Sequence, residues 1–316
     1  MTRVAAVDCG TNSIRLLVAD VDLATGELVD LDRRMKIVRL GQGVDRTGRL
    51  APEALERTFA ACREYAEIIA SHGVRAPDNL LFVATSATRD AENRDEFVRG
   101  VVEILGVEPE VISGDQEAEL SFTGATKELP GHDSYLVVDI GGGSTEFVVG
   151  EDEVRAGKSV NIGCVRLTER HLLHDGVLTD PPTPEQVTAV RLDIEAALDL
   201  AEETVPLRES RTLVGLAGTV TTVAGIALDL GTYDSEAIHH SRIPLERVRE
   251  ITGRLLMATH AERAAIPIMH PGRVDVIGVG SLILLAIMER TGANEVVVSE
   301  HDILDGIAWQ AARDAG

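Results

Sequence analysis

Cysteine is nearly missing from this 316-residue chain, which has only Cys9, Cys62 and Cys164. An odd number with no metal-knuckle spacing excludes a disulfide frame and a cysteine-built metal site, and fits a reducing, cytoplasmic compartment. Aromatic residues are scarce too, nine in all, so little is available to stack on bases. With a formal charge of −22, the bulk surface repels nucleic acid and anionic membranes, and neither is expected as a partner. Long apolar runs are missing as well. The longest, Val276 to Met288, has 13 residues and holds two glycines, against about 20 for a membrane span, so it reads as a buried helix. Met1-Thr2-Arg3-Val4 leads straight into a strand, and no signal or transit peptide is expected. Lysine is confined to Lys36, Lys127 and Lys158, against 27 arginines. Arginine suits bidentate phosphate contacts, although genome composition gives the same excess.

The chain does have 44% hydrophobic residues and enough length for two domains with cores. Its most informative stretch is Val137-Val138-Asp139-Ile140-Gly141-Gly142-Gly143-Ser144-Thr145-Glu146-Phe147-Val148-Val149. Two β-branched runs flank a turn of three glycines, the pattern of strand, tight turn, strand. Without Cβ atoms, Gly141 to Gly143 can converge their backbone N–H groups on an anion, and the Ser144 and Thr145 hydroxyls add donors. Asp139, leaving a buried strand, is placed to hold a hard cation beside that anion. The bland alternative is a tight turn and nothing more.

An echo lies 131 residues upstream. Val4-Ala5-Ala6-Val7 leads into Asp8-Cys9-Gly10-Thr11-Asn12-Ser13 and then Ile14-Arg15-Leu16-Leu17-Val18. Aligning Asp8 with Asp139 puts Gly10 on Gly141 and Ser13 on Ser144. Such a long-period repeat predicts two related domains, each offering a phosphate-gripping hairpin to a shared cleft.

The rest of the chain fills in an α/β pattern. A third strand is expected over 27–40, a helix from Pro52 to about His72, a buried strand over Leu80–Ala84 and a helix over 94–105. Val111-Ile112 is a strand, and Ser113 caps a helix whose first-turn acids Asp115 and Glu117 suit its dipole. That dipole role is by itself a full account of Glu117. Residues 127–134, with Pro130 and Gly131, read as the crossover. Beyond the glycine hairpin come a third strand near 154–162, a helix opened by 161–166, a proline break at 181–184 and a helix with Val187, Val190, Ile194, Leu198 and Ala201 inward. Thr212–Ala217 is a strand running into Gly218-Thr219-Val220-Thr221-Thr222, a helix start able to hold another phosphate; a close helix–strand crossing is the alternative. A buried helix is expected over 275–290, an edge strand over 295–299, and a last helix from 302 that packs back on the first domain. The expected domains are 1–125 with 302–316, and 126–301. Cys9 and Cys164 read as packing residues, and the histidines have no metal spacing.

Four segments, Asp8–Ser13, Ala84–Arg89, Ser113–Ala118 and Asp139–Glu146, resemble the signature stretches of the exopolyphosphatase / guanosine pentaphosphate phosphohydrolase (Ppx/GppA) family. Gly163-Cys164-Val165, Ala217-Gly218-Thr219 and Arg273-Val274-Asp275 also sit where that family has similar segments. The resemblance implies two ribonuclease-H-like lobes of the actin-like ATPase and sugar-kinase superfamily with a cleft between them. It implies Mg²⁺-dependent hydrolysis of a terminal phosphate from inorganic polyphosphate or from a (p)ppGpp-type nucleotide, and it admits a homodimer. The family's catalytic glutamate maps onto Glu117, its metal-associated aspartate onto Asp139, and the acid closing the glycine loop onto Glu146. Two departures stand out: Gln116-Glu117 where many members carry two glutamates, and Ile303-Leu304-Asp305-Gly306 where Leu-Arg-Glu-Gly is frequent.

On this resemblance, Gly141 to Thr145 hold the terminal phosphate, while Thr11, Asn12, Ser13 and Arg89 hold the next ones. Asp139, with Glu146 or Asp8, seats Mg²⁺, and Glu117 activates the attacking water. Arg15, Arg166 and Arg273 are weaker candidates for substrate contact. The leading function is an exopolyphosphatase favouring short chains. The alternatives are hydrolysis of guanosine pentaphosphate or nucleoside triphosphates, a phosphotransferase, and a non-catalytic polyphosphate or alarmone sensor.

Overall fold

The computed structural model describes residues 1–127, 129 and 134–315, so the expected 127–134 crossover falls largely outside the described residues. The chain divides into two compact units, Met1–Lys127 with Asp302–Gly316, and Glu128–His301. Both are α/β.

The first unit opens with β1 (Thr2–Cys9), β2 (Ser13–Asp22) and β3 (Glu27–Ile37), then adds β4 (Leu80–Ala84) and β5 (Glu110–Val111). The sheet order is β3-β2-β1-β4-β5. β1, β2 and β3 are antiparallel neighbours, whereas β4 and β5 run parallel to β1. β3 stops three residues before the expected Leu40, because the N–H groups of Val38 and Arg39 turn to the Asn12 carbonyl. One face is covered by the helices Pro52–Ser71 and Arg94–Leu105, with Phe82 edge-on to Phe97 and the Tyr65 hydroxyl donating to the Ile14 carbonyl at 3.0 Å. The other face is covered by the C-terminal helix Ile303–Asp314, whose Ile307, Ala308 and Trp309 pack with Val4, Leu17 and Val83.

That last helix is pinned by buried charge. Arg15 in β2 contacts Asp302, the helix cap, and reaches Asp8 from Nη2 at 2.7 Å and from Nε at 3.0 Å. Arg33 reaches Asp305 at 2.5 Å. Burial pushes the Asp8 carboxyl up in pKa even beside Arg15, and it works against the charge on Arg15, but Asp302 and Asp8 outweigh it and hold that guanidinium charged. Removing one partner of such a network strands the others. Arg15→Met is expected to cost about 3–5 kcal/mol of unfolding free energy, read from the urea midpoint; a loss under about 1 kcal/mol would show the network to be dispensable.

The second unit repeats the plan. Its strands are β6 (Tyr135–Ile140), β7 (Thr145–Gly150), β8 (Val154–Val160), a two-stranded ribbon β9 (Leu173–His174) with β10 (Val177–Leu178), then β11 (Thr212–Leu216), β12 (Arg242–Pro244) and β13 (Glu295–Val298). The main sheet runs β12-β13-β11-β6-β7-β8. Counted from β6 outward it has the third-second-first-fourth-fifth order of the first unit, the ribonuclease-H-like order, with β12 added. Ile277–Thr291 is the central helix, buried from Ile277 to Met288 in the core of this unit. It is too short to cross a membrane, and no helix among the described residues is long and apolar enough to do so. Residues 295–299 were expected at an edge, yet β13 is paired on both sides, because the short β12 adds antiparallel to it. Pro244 closes that new edge strand, where a missing N–H costs nothing in the ladder. The helix Leu245–Met257, which follows at once, has no counterpart in the sequence reading.

Candidate phosphate and metal site

The two hairpins close their turns with the same hydrogen bond. In the first unit the Gly10 N–H donates to the Ser13 carbonyl at 3.0 Å, and in the second the Gly141 N–H donates to the Ser144 carbonyl at 3.0 Å. The flanking register matches as well, with Cys9 opposite Ile14 and Ile140 opposite Thr145. The repeat read from the sequence is therefore a repeat of backbone geometry.

In the second unit the glycine turn has its carbonyls drawn to one side. Gly141 O accepts from the Cys164 N–H at 3.1 Å, and Gly142 O accepts from Val165 at 2.9 Å and Arg166 at 3.0 Å. Arg166 Nε donates to Gly143 O at 2.6 Å. The first N–H groups of the helix Cys164–Leu172 thus satisfy the turn, and the turn caps that helix. The contact is closest at Gly163, where a Cβ would lie 2.4 Å from the Gly142 carbonyl carbon. With those carbonyls committed, the N–H groups of Gly142, Gly143 and Ser144 have no carbonyl partner among the described residues. Consecutive N–H groups of this kind form an anion nest. Thr11 and Asn12 N–H are likewise without a carbonyl partner among the described residues, and the Asn12 Oδ1 is buried with no hydrogen bond.

The hairpins differ at one informative position. Opposite Asp8 stands Arg15, whereas opposite Asp139 stands Glu146. Asp139 and Glu146 are only 7% and 1% exposed, and Ser159 in β8 donates to Glu146 Oε1 at 2.7 Å. The two carboxylates stand directly opposite each other in the ladder, on one face of the sheet. Among the described residues no three His, Cys, Asp or Glu gather as a metal cage. A two-carboxylate set fits Mg²⁺ nonetheless, since that ion keeps several waters and takes further oxygens from substrate phosphate. Asp8, expected as a third metal contact, is instead held by Arg15.

Glu117 lies in the first turn of the helix Gly114–Thr126, on the first unit. It is 8% exposed, and its Oε2 accepts from Arg89 Nη1 at 3.1 Å. The same Nη1 donates to the Ile112 carbonyl at 3.0 Å, which fixes the guanidinium and, through it, the carboxylate. Arg89 was expected on phosphate; here its Nη1 orients Glu117. Gln116, the departure from two adjacent glutamates, completes the cap: its Oε1 accepts the Ser113 N–H while its own N–H donates to Ser113 Oγ. An amide does this as well as a carboxylate, so the change leaves Glu117 in place.

Other expected contacts are redistributed. The Thr145 hydroxyl donates to the Ile162 carbonyl at 2.8 Å and is fully buried, so it anchors the neighbouring loop and is withdrawn as a phosphate donor. Thr11 Oγ1 shares a hydrogen bond with Ser86 Oγ at 2.8 Å, which leaves its backbone N–H as the available donor. Ser13 stands on β2 opposite Ile37. Gly218 and Thr219 do open a helix, Ala217–Ala227, which has no side-chain cap. Ala217 holds φ at +65°, a left-handed conformation that costs a non-glycine residue energy and recurs at functional sites. The Arg273 guanidinium lies against Gly218, where a Cβ would meet it at 2.3 Å, and donates to Thr222 Oγ1 at 3.2 Å. The sequence marks Gly163, Ala217 and Arg273 only as parts of family-like segments; the close approach of Gly163 to the glycine turn, the positive φ of Ala217 and the placement of Arg273 beside Gly218 come from the structure.

Cysteine chemistry has no place in this arrangement. All three thiols are buried, and burial pushes Cys9 well up, Cys62 to about 12 and Cys164 to about 11. Ellman's reagent at pH 8 should therefore find no reactive thiol in the native protein and three after denaturation; fast reaction of any one in the native state would contradict the burial.

An α/β protein with duplicated anion nests, an opposed carboxylate pair and an oriented glutamate is equipped to handle phosphoanhydrides. The comparison with known proteins gives the same class: a sequence profile of the Ppx/GppA phosphatase family matches residues 17–313. The chain is 52% identical over 324 aligned positions to Exopolyphosphatase 2 of Mycobacterium tuberculosis (strain ATCC 25618 / H37Rv), covering 99% of each. Among solved structures, the Aquifex aeolicus member of the Ppx/GppA family superposes with a TM-score of 0.80 at 29% identity, over 99% of this chain and 98% of that one. An exopolyphosphatase from Cytophaga hutchinsonii gives 0.86 at 26% identity, over 98% and 97%. The chain belongs to the Ppx/GppA phosphatase family.

Proposed function

We propose that the chain is an exopolyphosphatase, a phosphoanhydride hydrolase that removes terminal orthophosphate from inorganic polyphosphate. The observation that carries this reading is the nest of N–H groups at Gly142, Gly143 and Ser144, whose turn carbonyls are all drawn the other way. Full-length identity of 52% to a protein named exopolyphosphatase supports the substrate.

In this reading the nest and the uncapped start of the Ala217–Ala227 helix bind phosphate oxygens where negative charge is spread during transfer. The Thr11 and Asn12 N–H groups bind further phosphates of the chain. Glu117, held by Arg89, orients a water and takes its proton as the water oxygen bonds to the terminal phosphorus and the bridging P–O bond breaks, releasing orthophosphate and the shortened polyphosphate. Asp139 and Glu146 are the residues that would hold Mg²⁺, which would supply positive charge against the phosphate oxygens. Asp8 is left to its structural ion pair.

The test is orthophosphate release by the purified chain from tripolyphosphate, long polyphosphate and guanosine pentaphosphate, each with Mg²⁺ and with EDTA. The expected result is release from both polyphosphates, tripolyphosphate the faster, and loss of at least 95% of it in EDTA. Binding of polyphosphate with no release from any substrate would make the protein a sensor instead. Faster release from guanosine pentaphosphate would move the activity to the nucleotide.

A further inference from the structure

Glu117 precedes Leu120 by three residues on the helix Gly114–Thr126, about 4.5 Å along its axis. From Leu120 to Gly124 that helix crosses the C-terminal helix Ile303–Asp314, which returns to the first unit from the far end of the chain. The crossing is backbone on backbone. A Cβ at Gly124 would lie 2.7 Å from the Asp302 carbonyl carbon and 3.0 Å from the Gly306 nitrogen, with the Asp302 oxygen nearer still. A Cβ at Gly306 would lie 2.8 Å from the Leu120 carbonyl carbon and 3.1 Å from its Cα, again with the oxygen nearer. The contact is reciprocal: each glycine sits four residues from the carbonyl that its partner glycine meets, one turn along the same face.

Side chains in contact can repack by changing rotamer, whereas two main chains in contact cannot. The crossing therefore fixes how close the Gly114–Thr126 helix stands to its neighbour. The neighbour is itself anchored. Its cap Asp302 is held by Arg15 in β2, and Asp305 in its first turn by Arg33 in β3 at 2.5 Å. Leu120 packs in one buried cluster with Ile303, Leu304 and Ile307. A line of rigid contacts thus runs from the sheet, through the two arginines and the glycine crossing, to the helix turn that carries Glu117.

We propose, on the reading of Glu117 as the general base, that the C-terminal helix is its positioning element. Gly124 and Gly306 are positioning residues that set where the backbone of Glu117 stands, and the Arg33–Asp305 pair holds the seat. Arg89 fixes the direction of the carboxylate; the crossing fixes the place from which it reaches. Neither glycine touches substrate.

The test is steady-state hydrolysis of tripolyphosphate by the full chain with Mg²⁺. Gly306→Ala and Gly124→Ala should each lower kcat about 100-fold, the usual cost of a misplacement near 1 Å, with KM within about threefold. Made together with Glu117→Gln, neither should lower kcat by more than about twofold further, because the group they misplace has already lost its function. A merely structural role would not vanish in that way. Gly100→Ala is the control for overpacking: its Cβ crowds the Phe59 ring between the helices on the other face of the sheet, and kcat should stay within about twofold. Asp305→Asn keeps the acceptor for the Asp302 N–H and removes the charge facing Arg33, so it decides the matter if the glycine variants do not fold. It should lower kcat by about threefold or more, again only where Glu117 is present. Parental kcat in the folded glycine variants, or in Asp305→Asn, overturns the proposal, as do losses that multiply with Glu117→Gln. A parental rate in Glu117→Gln alone would instead remove Glu117 as the base, and its positioning element with it.

Discussion

Glu117→Gln should lower kcat for polyphosphate by about 10²–10⁴-fold, the usual worth of a positioned general base, while KM moves by less than about threefold. The substitution is nearly isosteric, and its amide oxygen still accepts from Arg89, whose Nη1 stays anchored on the Ile112 carbonyl. What is lost is the ability to take a proton from water. A split between kcat and KM is the informative readout, because general disruption of the Gly114–Thr126 helix would raise KM and lower the melting temperature together. A variant that hydrolyses at the parental rate would return Glu117 to the role of an ordinary first-turn acid, favoured there by the helix dipole.

The second large effect is expected at a residue with no functional group. Gly163→Ala would place a Cβ 2.4 Å from the carbonyl carbon and oxygen of Gly142 and 2.6 Å from the Gly143 nitrogen. Backbone cannot yield as the end of a side chain can, so the glycine turn must move relative to the Cys164–Leu172 helix. Displacing reacting groups by about 1 Å typically costs on the order of 100-fold in rate, and overpacking costs about 1–3 kcal/mol in stability. The expected result is therefore a fall of roughly 100-fold in kcat/KM with the protein still folded. Gly231→Ala is the control, since nothing lies within 4 Å of its added Cβ. Equal activity of the two variants would mean that the turn tolerates displacement and that its N–H groups are not aimed at substrate.

The legible parts of the molecule were those fixed by local chemistry. Both hairpins could be read because glycine turns and flanking β-branched runs leave few other conformations open. The helix Pro52–Ser71 could be read from its apolar face and its leading proline. The strand Arg242–Pro244 could not, because three residues ending in proline give no alternation to detect. Missing it, the sequence alone leaves β13 at an edge. At the candidate site, residue types were visible but not their partners. A threonine beside three glycines looks like a phosphate donor until the fold brings the Ile162 carbonyl within 2.8 Å of it. Asp8 and Asp139 occupy equivalent places in the repeat, and only the cross-strand neighbour, Arg15 or Glu146, separates an internal ion pair from a carboxylate pair suited to a cation. Such assignments depend on strand register, which sits beyond the reach of spacing along one chain.

The most direct test is a crystal structure of the Glu117→Gln variant with tripolyphosphate and Mg²⁺. The terminal phosphate should accept hydrogen bonds from the N–H groups of Gly142, Gly143 and Ser144, with the metal between it and the Asp139 and Glu146 carboxylates. Terminal phosphate density away from that turn, or a metal on other side chains, would contradict the account.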